Sequence, residues 1–162
     1  MSNNMFLKFE GGPVTIEGET KDSDHEKWVD IESFGWGAHH ASSFQHGTGG
    51  ATQAASSTDF NFMKKVDSAS AALFQALVQA AHITKVTFEI IKTSSGGTKF
   101  PFYKVELSPC MISSYQSSGT GDPVMESVTL SFGKAAFKYK PQDQAGEPMA
   151  EKEHEHDFQA SN

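Results

Sequence analysis

The chain has 162 residues, with 20 acidic and 13 basic side chains and a formal charge of −7 at neutral pH. Every basic residue is lysine, so the chain lacks the planar guanidinium that clamps phosphates, and its acidic surface predicts no binding to nucleic acid. No apolar run approaches the roughly 20 residues that span a bilayer, and residues 1–4 lack signal-peptide features, so we expect synthesis in the cytosol without membrane insertion or general export.

The first part of the chain alternates short predicted strands with polar connections. Residues 5–9 predict a strand that residues 14–17 resume, and residues 18–25 form a polar excursion. Residues 28–36 predict a strand in two phases. Its apolar side chains are at odd-numbered positions at first, Val29 and Ile31, and then at even-numbered positions, Phe34 and Trp36. Two phases in one strand disfavour a simple flat sheet.

Residues 37–58 then lose all periodicity. They are rich in glycine, alanine, serine and histidine, and they contain one large apolar residue, Phe44. A stretch of about 20 residues without regular structure is uncommon inside a compact domain, and it indicates a functional arm or disorder.

The single predicted helix covers residues 71–81 and follows a predicted strand over residues 59–66. Asp67, Ser68 and Ser70 are candidate N-caps, because short polar side chains accept hydrogen bonds from the first backbone N–H groups. Helical spacing gives a common apolar face formed by Ser70, Leu73, Phe74, Leu77, Val78 and Ala81. One such helix covers one face or end of a sheet.

After a strand at residues 86–90, the chain predicts one long β-hairpin with arms at residues 102–115 and 124–139. Side chains alternate along the second arm: Val128, Leu130 and Phe132 point one way, and Ser127, Thr129 and Ser131 the other. The apolar phase then slips by one position, which predicts a bulge or sharp bend near Ala135 and Ala136.

These arms are much longer than a typical strand of about five or six residues, so we expect them to curve. The sequence therefore predicts a mainly β protein, a single domain over residues 1–162 built as a curled sheet or barrel. Its backbone edges need a partner. Residues 141–162 form a polar tail that we expect to fold poorly by itself.

No motif in the sequence predicts catalysis or metal binding. Cys110 lies inside a predicted strand, where a thiol packs as a small hydrophobe. The seven histidines form neither a helical i, i+4 pair nor part of a paired-cysteine cluster. Nucleophile elbows and phosphate loops are also missing. We expect no enzyme activity, no cofactor and no metal.

Segments along the chain carry a resemblance to one known family. They are Met5-Phe6-Leu7-Lys8, Gly18-Glu19 with His25, Asp30-Ile31, Phe34-Gly35-Trp36-Gly37, Phe60-Asn61-Phe62, Lys65-Val66-Asp67, Glu126-Ser127-Val128-Thr129-Leu130-Ser131-Phe132 and Tyr139-Lys140-Pro141. In this order and spacing the chain resembles the haemolysin-coregulated protein (Hcp) family, the tube-forming component of bacterial type VI secretion systems. The resemblance extends from Met5 to Pro141.

The resemblance implies a curled two-sheet β-barrel with one helix at its side and a long extended loop, assembling as a hexameric ring. It implies rings that stack into a tube, which a contractile sheath expels behind a tip protein and whose lumen carries effector proteins. It also implies that the protein is cytoplasmic before firing and is then secreted without a signal peptide.

The resemblance also assigns roles to individual residues. Residues 38–58 match the loop that contacts the adjacent ring, with Phe44 as its anchor and polar members at His39, His40, Gln45 and His46. Gly35 matches a small position in the strand that faces the lumen, where members of the family often have serine. Ser127, Thr129 and Ser131 are expected to face the lumen or a ring neighbour.

A different function also fits the predicted fold. A monomeric carrier of small ligands can be built on a closed β-barrel, with the helix and the aromatic residues lining a pocket. The carrier predicts a monomer with an open apolar interior, whereas the tube subunit predicts a large particle.

Overall fold

In a computed structural model, which describes residues 4–40 and 54–159, eight strands form one antiparallel sheet. Their bounds are β1 Met5–Glu10, β2 Val29–Asp30, β3 Ser33–His39, β4 Ser56–Lys65, β5 Lys85–Thr93, β6 Lys99–Ser118, β7 Met125–Tyr139 and β8 Lys152–Asp157. Within these ranges there is one α-helix, α1 (Ser70–Val78), and one 3₁₀ turn at Ser23–His25. The strand order is β2-β1-β5-β6-β7-β4-β3, and β8 pairs with the second half of β7.

The sheet closes into a barrel because one stretch of chain supplies both of its ends. β2 pairs with β1, and β3, which follows directly, pairs with β4. Between them the Ile31 N–H donates to the Met5 carbonyl (3.1 Å) and the Glu32 N–H to the Met63 carbonyl (2.8 Å). The apolar pattern of residues 28–36 thus changes where the partner strand changes from β1 to β4. The two sheets expected from the resemblance are two sides of one continuous sheet.

Aromatic and aliphatic side chains fill the barrel. Phe60, Phe88 and Leu130 are completely buried. The ring of Phe34 lies 4.4 Å from that of Phe88 and 6.2 Å from that of Phe60. Side chains of the described residues thus fill the middle of the barrel, whereas the carrier interpretation requires an open apolar interior.

The β6–β7 hairpin extends beyond the predicted arms, mainly at the two ends of β6. The predicted phase change is present on β7, where the core side passes from Phe132 to Ala135. Of the two predicted causes near Ala135 and Ala136, a bulge or a sharp bend, the bulge is wrong, because the pairing with β6 keeps its register there. The change occurs at the buried Gly133, and the hairpin's register shift lies on β6, after Ile112.

Helix α1 ends earlier than predicted. Ala80 adopts a left-handed conformation with φ 50°, and the Ala81 N–H returns to the Ala76 carbonyl at 2.9 Å. This closes the last turn and stops the helix at Val78.

The apolar face that helical spacing predicts for α1 is divided in the structure. Leu73 and Ala76 are buried against β6 and the core, whereas 54% of Phe74 and 68% of Val78 is exposed. The helix lies beside β6 and leaves one apolar flank on the surface, so the prediction that Phe74 and Val78 share the buried face is wrong.

Part of the polar tail pairs with the sheet, and this pairing is compatible with the expectation that the tail folds poorly by itself. β8 pairs with β7 along six residues. Lysines on β7 match acidic residues on β8: the Nζ atom of Lys134 lies 2.5 Å from Glu155 Oε1, and that of Lys138 lies 3.9 Å from Glu153 Oε1. Composition alone conceals this complementarity, because the pairing lysines are in a different part of the sequence.

Candidate assembly and cargo surfaces

A row of small polar residues crosses four strands on the sheet face opposite the core. Gly35 of β3 pairs with Asn61 of β4, Asn61 pairs with Thr129 of β7, and Thr129 pairs with Ser114 of β6. Directly paired residues share a face of the sheet, so these four lie together and point away from the core that their sequence neighbours fill. We call this set the polar row.

Two more predicted residues extend this face along β7. Ser127 is exposed, and Thr129 and Ser131 are half-buried, while the alternating Val128 and Leu130 are completely buried. The predicted alternation is therefore present. It gives the second arm one apolar face and one face of hydroxyl-bearing side chains.

Gly35 lies where β3 contains a register shift, between Gly35 and Gly37. A Cβ atom on Gly35 would lie 3.2 Å from the Asn61 Oδ1 atom, so the amide occupies space that a side chain at position 35 would need. Asn61 is thus the prominent polar group of this part of the row. Sequence analysis did not single it out, although a polar residue between Phe60 and Phe62 is the expected signal of an outward position.

The two stems of the arm leave the barrel side by side. His39, the last residue of β3, pairs with Ser56, the first residue of β4, and both His39 and His40 are exposed. The other predicted contact residues of the arm, Phe44, Gln45 and His46, lie outside the described residues.

An apolar groove of about 480 Å³ lies beside the base of the arm, where β4 and β8 separate along the edge of β7. It is lined by Trp36, Ala38, Ala55, Ala135, Phe137, His154, His156 and Phe158. The Trp36 Nε1–H donates to the Tyr103 hydroxyl at 2.8 Å, which fixes the indole. Burial raises the pKa of Tyr103. Sequence analysis missed this groove because its lining comes from distant segments.

The second apolar surface is on α1. We call the exposed Phe74 and Val78 the helix flank, since they lie one turn apart on the same side of the helix. The ring of Phe74 packs against that of Tyr115 on β6, with a centroid distance of 5.9 Å. The flank is therefore a fixed apolar ridge.

Five side chains form a buried ionic cluster, which we call the lysine centre: Lys64, Asp67, Ser70, Tyr115 and Glu126. Lys64 and Glu126 are directly paired across β4 and β7, and both are completely buried. The Lys64 Nζ atom lies 2.7 Å from Glu126 Oε2 and 2.7 Å from Asp67 Oδ1. The Tyr115 hydroxyl donates to Glu126. Burial and this carboxylate raise the pKa of Tyr115 to about 12.

Asp67 connects the lysine centre to the helix. Its Oδ1 atom also accepts from the Ala69 N–H at 2.9 Å, and its own N–H donates to Ser70 Oγ at 2.9 Å. The predicted N-caps are wrong, because the N-cap of α1 is Ala69, which makes no side-chain cap hydrogen bond. Asp67 and Ser70 instead form hydrogen bonds with the backbone just before the helix. The cluster therefore fastens the start of the helix to the barrel.

A second cluster, the histidine centre, has the buried His25 and Glu89 at its middle. It also contains Asp22, the half-buried Lys104 and the exposed Lys99. His25 Nε2 lies 2.8 Å from Glu89 Oε2, and Nδ1 lies 3.5 Å from Asp22 Oδ1. The imidazole stacks on Phe6 with a centroid distance of 4.4 Å. A hydrogen bond from the Asp24 N–H holds the pKa of Asp22 below its usual range. Sequence analysis recorded only a polar excursion here.

The described residues contain no group of three or more side chains arranged to hold a metal ion. Cys110 is buried in β6, as predicted, and burial raises the pKa of its thiol to about 12, which keeps it unreactive. Over the same ranges, no helix is long and apolar enough to cross a membrane. Residues 14–17 do not form the predicted strand, although Val14 and Ile16 are buried.

Comparisons with known proteins give a consistent result. The family model described as "Type VI secretion system effector, Hcp" matches residues 6–139. A solved structure described as "a type six secretion system protein" is similar with a TM-score of 0.87 at 26% identity, covering 98% of this chain and 97% of that one. Hcp1 from Salmonella typhimurium gives a TM-score of 0.77 at 24% identity, covering 99% and 98%. A type VI secretion system effector from Yersinia pestis gives 0.73 at 23%, covering 94% and 98%. No curated protein sequence matches.

Proposed function

Because the chain belongs to the Hcp family and is a tube subunit of a type VI secretion system, we propose that six copies close head to tail into a ring and that rings stack into the tube. The observation that carries this proposal is the β6–β7 hairpin. One of its faces packs the core, and the other bears the polar row across β3, β4, β7 and β6. Repeated around an axis, this face gives a continuous polar wall around a central hole.

The lumen is formed by the polar row together with Ser127 and Ser131. Gly35 contributes no side chain to the wall, and the amide of the neighbouring Asn61 presents both a hydrogen-bond donor and an acceptor there. Small uncharged side chains make few strong contacts, so effector proteins bind such a wall weakly and leave it readily. This suits cargo that must be released after the tube is expelled.

The arm at residues 38–58 makes the contact between stacked rings, with Phe44 as its apolar anchor and His39, His40, Gln45 and His46 around it. Its stems emerge together from β3 and β4, so the arm projects from one end of the barrel. The contractile sheath and the tip protein are the remaining partners. In this proposal the protein is assembled in the cytoplasm and is then expelled from the cell.

The ring is tested by size-exclusion chromatography with light scattering and by negative-stain microscopy of the purified protein. We expect a particle of about six chain masses that appears as annuli of uniform diameter. A monomer at every protein concentration would contradict the ring and would favour the carrier interpretation.

The arm is tested separately by Phe44→Ser, with Phe44→Leu as the matched control that keeps an apolar side chain at the same position. Loss of an apolar anchor from a small contact weakens it by about tenfold or more, so we expect Phe44→Ser to leave single rings and to shorten the stacks. The control should stack as the unmodified protein does. Stacks of unchanged length in Phe44→Ser would remove the anchor role from Phe44.

A further inference from the structure

Two apolar surfaces adjoin the long hairpin. The helix flank lies on α1, which packs against β6 next to Tyr115. The apolar groove lies along β7 and β8. One surface projects and the other is concave, and they adjoin different strands of the hairpin.

A closed ring of identical subunits needs two different surfaces on each copy that fit one another, because its contacts are head to tail. We propose that neighbouring copies in the ring meet by insertion of the helix flank (Phe74 and Val78) of one copy into the apolar groove of the next. This inference rests on the proposed function, because it assigns the two sides of the ring contact.

The sizes of the two surfaces agree with this pairing. The groove of about 480 Å³ is in the range of pockets that enclose a compact apolar group. A single aromatic side chain buries about 150–250 Å², and 54% of Phe74 is available to do so. A stable contact needs about 800 Å² per partner, so the flank and the groove act as its central anchor and the adjoining strand edges supply the rest.

The pairing also fixes how subunits are oriented. The α1 side of one hairpin faces the β8 side of the next, so all hairpins run in the same direction around the ring. The polar row lies on β3, β4, β7 and β6, and the proposed contact covers none of its members. The ring contact and the lumen wall therefore use separate residues.

Cysteine cross-linking tests the pairing directly. The variants Val78→Cys, on the flank, and Ala38→Cys, on the groove, are co-expressed with different tags and treated with a short bismaleimide. The native Cys110 is buried and does not react, so the unmodified chain is the background. Each cysteine variant expressed alone is a control, because a head-to-tail contact never brings two copies of position 78 together.

We expect a mixed dimer from the co-expressed pair and none from either variant alone. A chain with both cysteines should give a ladder of products that ends at six copies. Intact rings without the mixed product would overturn the inference while leaving the proposed function in place. A ladder beyond six copies would place the contact between rings and also overturn it. A monomeric unmodified chain would overturn the proposed function itself.

A charge placed on the helix flank gives an independent measurement. Val78→Asp should weaken the ring contact by about tenfold or more, because a charge would enter an apolar groove. Gln79→Asp adds the same charge at the adjacent exposed residue, the C-cap of α1, and should leave assembly unchanged. Thermal unfolding of both variants checks that they fold. Equal assembly of the two variants would contradict the pairing.

Discussion

The lysine centre and the histidine centre share one arrangement. Each has a buried basic side chain between two carboxylates: Lys64 between Asp67 and Glu126, and His25 between Asp22 and Glu89. Each also fastens a segment outside the sheet to the barrel. The lysine centre holds the start of α1, and the histidine centre holds the polar excursion of residues 18–25.

The two centres differ in what remains when the basic residue is removed. Glu89 has a second cation, Lys104, at 3.5 Å, and Asp22 has Lys99 at 3.9 Å. Glu126 is completely buried, and the Tyr115 hydroxyl is its other described partner. The free energy of unfolding lost on removing the basic residue should therefore depend on which partners remain beside each carboxylate. The following substitutions test this dependence.

Lys64→Met should have the largest effect. It keeps the aliphatic packing but leaves Glu126 buried without a cation, and breaking such a pair costs about 3–5 kcal/mol. We expect the free energy of unfolding in urea to fall by this amount. Lys65→Met, at the next position, removes an exposed ion pair with Glu32 and should cost about 0–1 kcal/mol. Equal losses in the two variants would show that burial of the lysine centre contributes nothing.

His25→Gln should cost less, about 1–3 kcal/mol, because an unsatisfied buried group is penalised by that amount and the two lysines still neutralise the carboxylates. The amide can donate to Glu89 but cannot stack on Phe6 as the imidazole does. His82→Gln, at an exposed position, is the control and should change little. A loss as large as that of Lys64→Met would contradict the compensating role of Lys99 and Lys104. Urea unfolding at neutral pH measures all three variants.

Tyr115→Phe should cost about 1–2 kcal/mol, because the completely buried Glu126 loses a hydrogen bond. The ring contact with Phe74 is retained, so the packing of α1 is preserved. The sharper measurement is the double variant with Lys64→Met. Both residues contact the same carboxylate, so their effects should not add. Strict additivity in urea unfolding would show that the two contacts are independent.

The barrel could be predicted from the sequence because its signals are local. Alternation along β7 gives the core side without knowledge of any partner, and the two phases of residues 28–36 report the change from β1 to β4. The phase change near Gly133 was also visible, but its cause was not. The pairs on either side of Gly133 keep one register, so the change does not come from an inserted residue at Ala135 and Ala136.

The rest depends on residues that are distant in the sequence. His25 and Glu89 are 64 positions apart, and each alone reads as an ordinary polar residue. Glu153 and Glu155 look like a solvated charge run until the register places Lys138 opposite Glu153 and brings Lys134 diagonally within 2.5 Å of Glu155. The apolar groove needs β3, β7 and β8 together. Pairing of this kind requires the fold before it can be recognised.

Asp22→Asn should have the smallest effect at neutral pH and the clearest dependence on pH. The asparagine oxygen can still accept from the Asp24 N–H, so we expect a loss of about 0.5–1 kcal/mol. The folded pKa of Asp22 is held below its unfolded value by that hydrogen bond. Its contribution is therefore present above the unfolded pKa and is lost as pH falls through the folded pKa.

Urea midpoints measured at about pH 7 and pH 3 should lie closer together in Asp22→Asn than in the unmodified protein. Asp24→Asn, at an exposed carboxyl, is the matched control. If Asp22→Asn keeps the full difference between the two midpoints, the histidine centre is not a source of acid sensitivity, and the two centres differ only in their remaining partners.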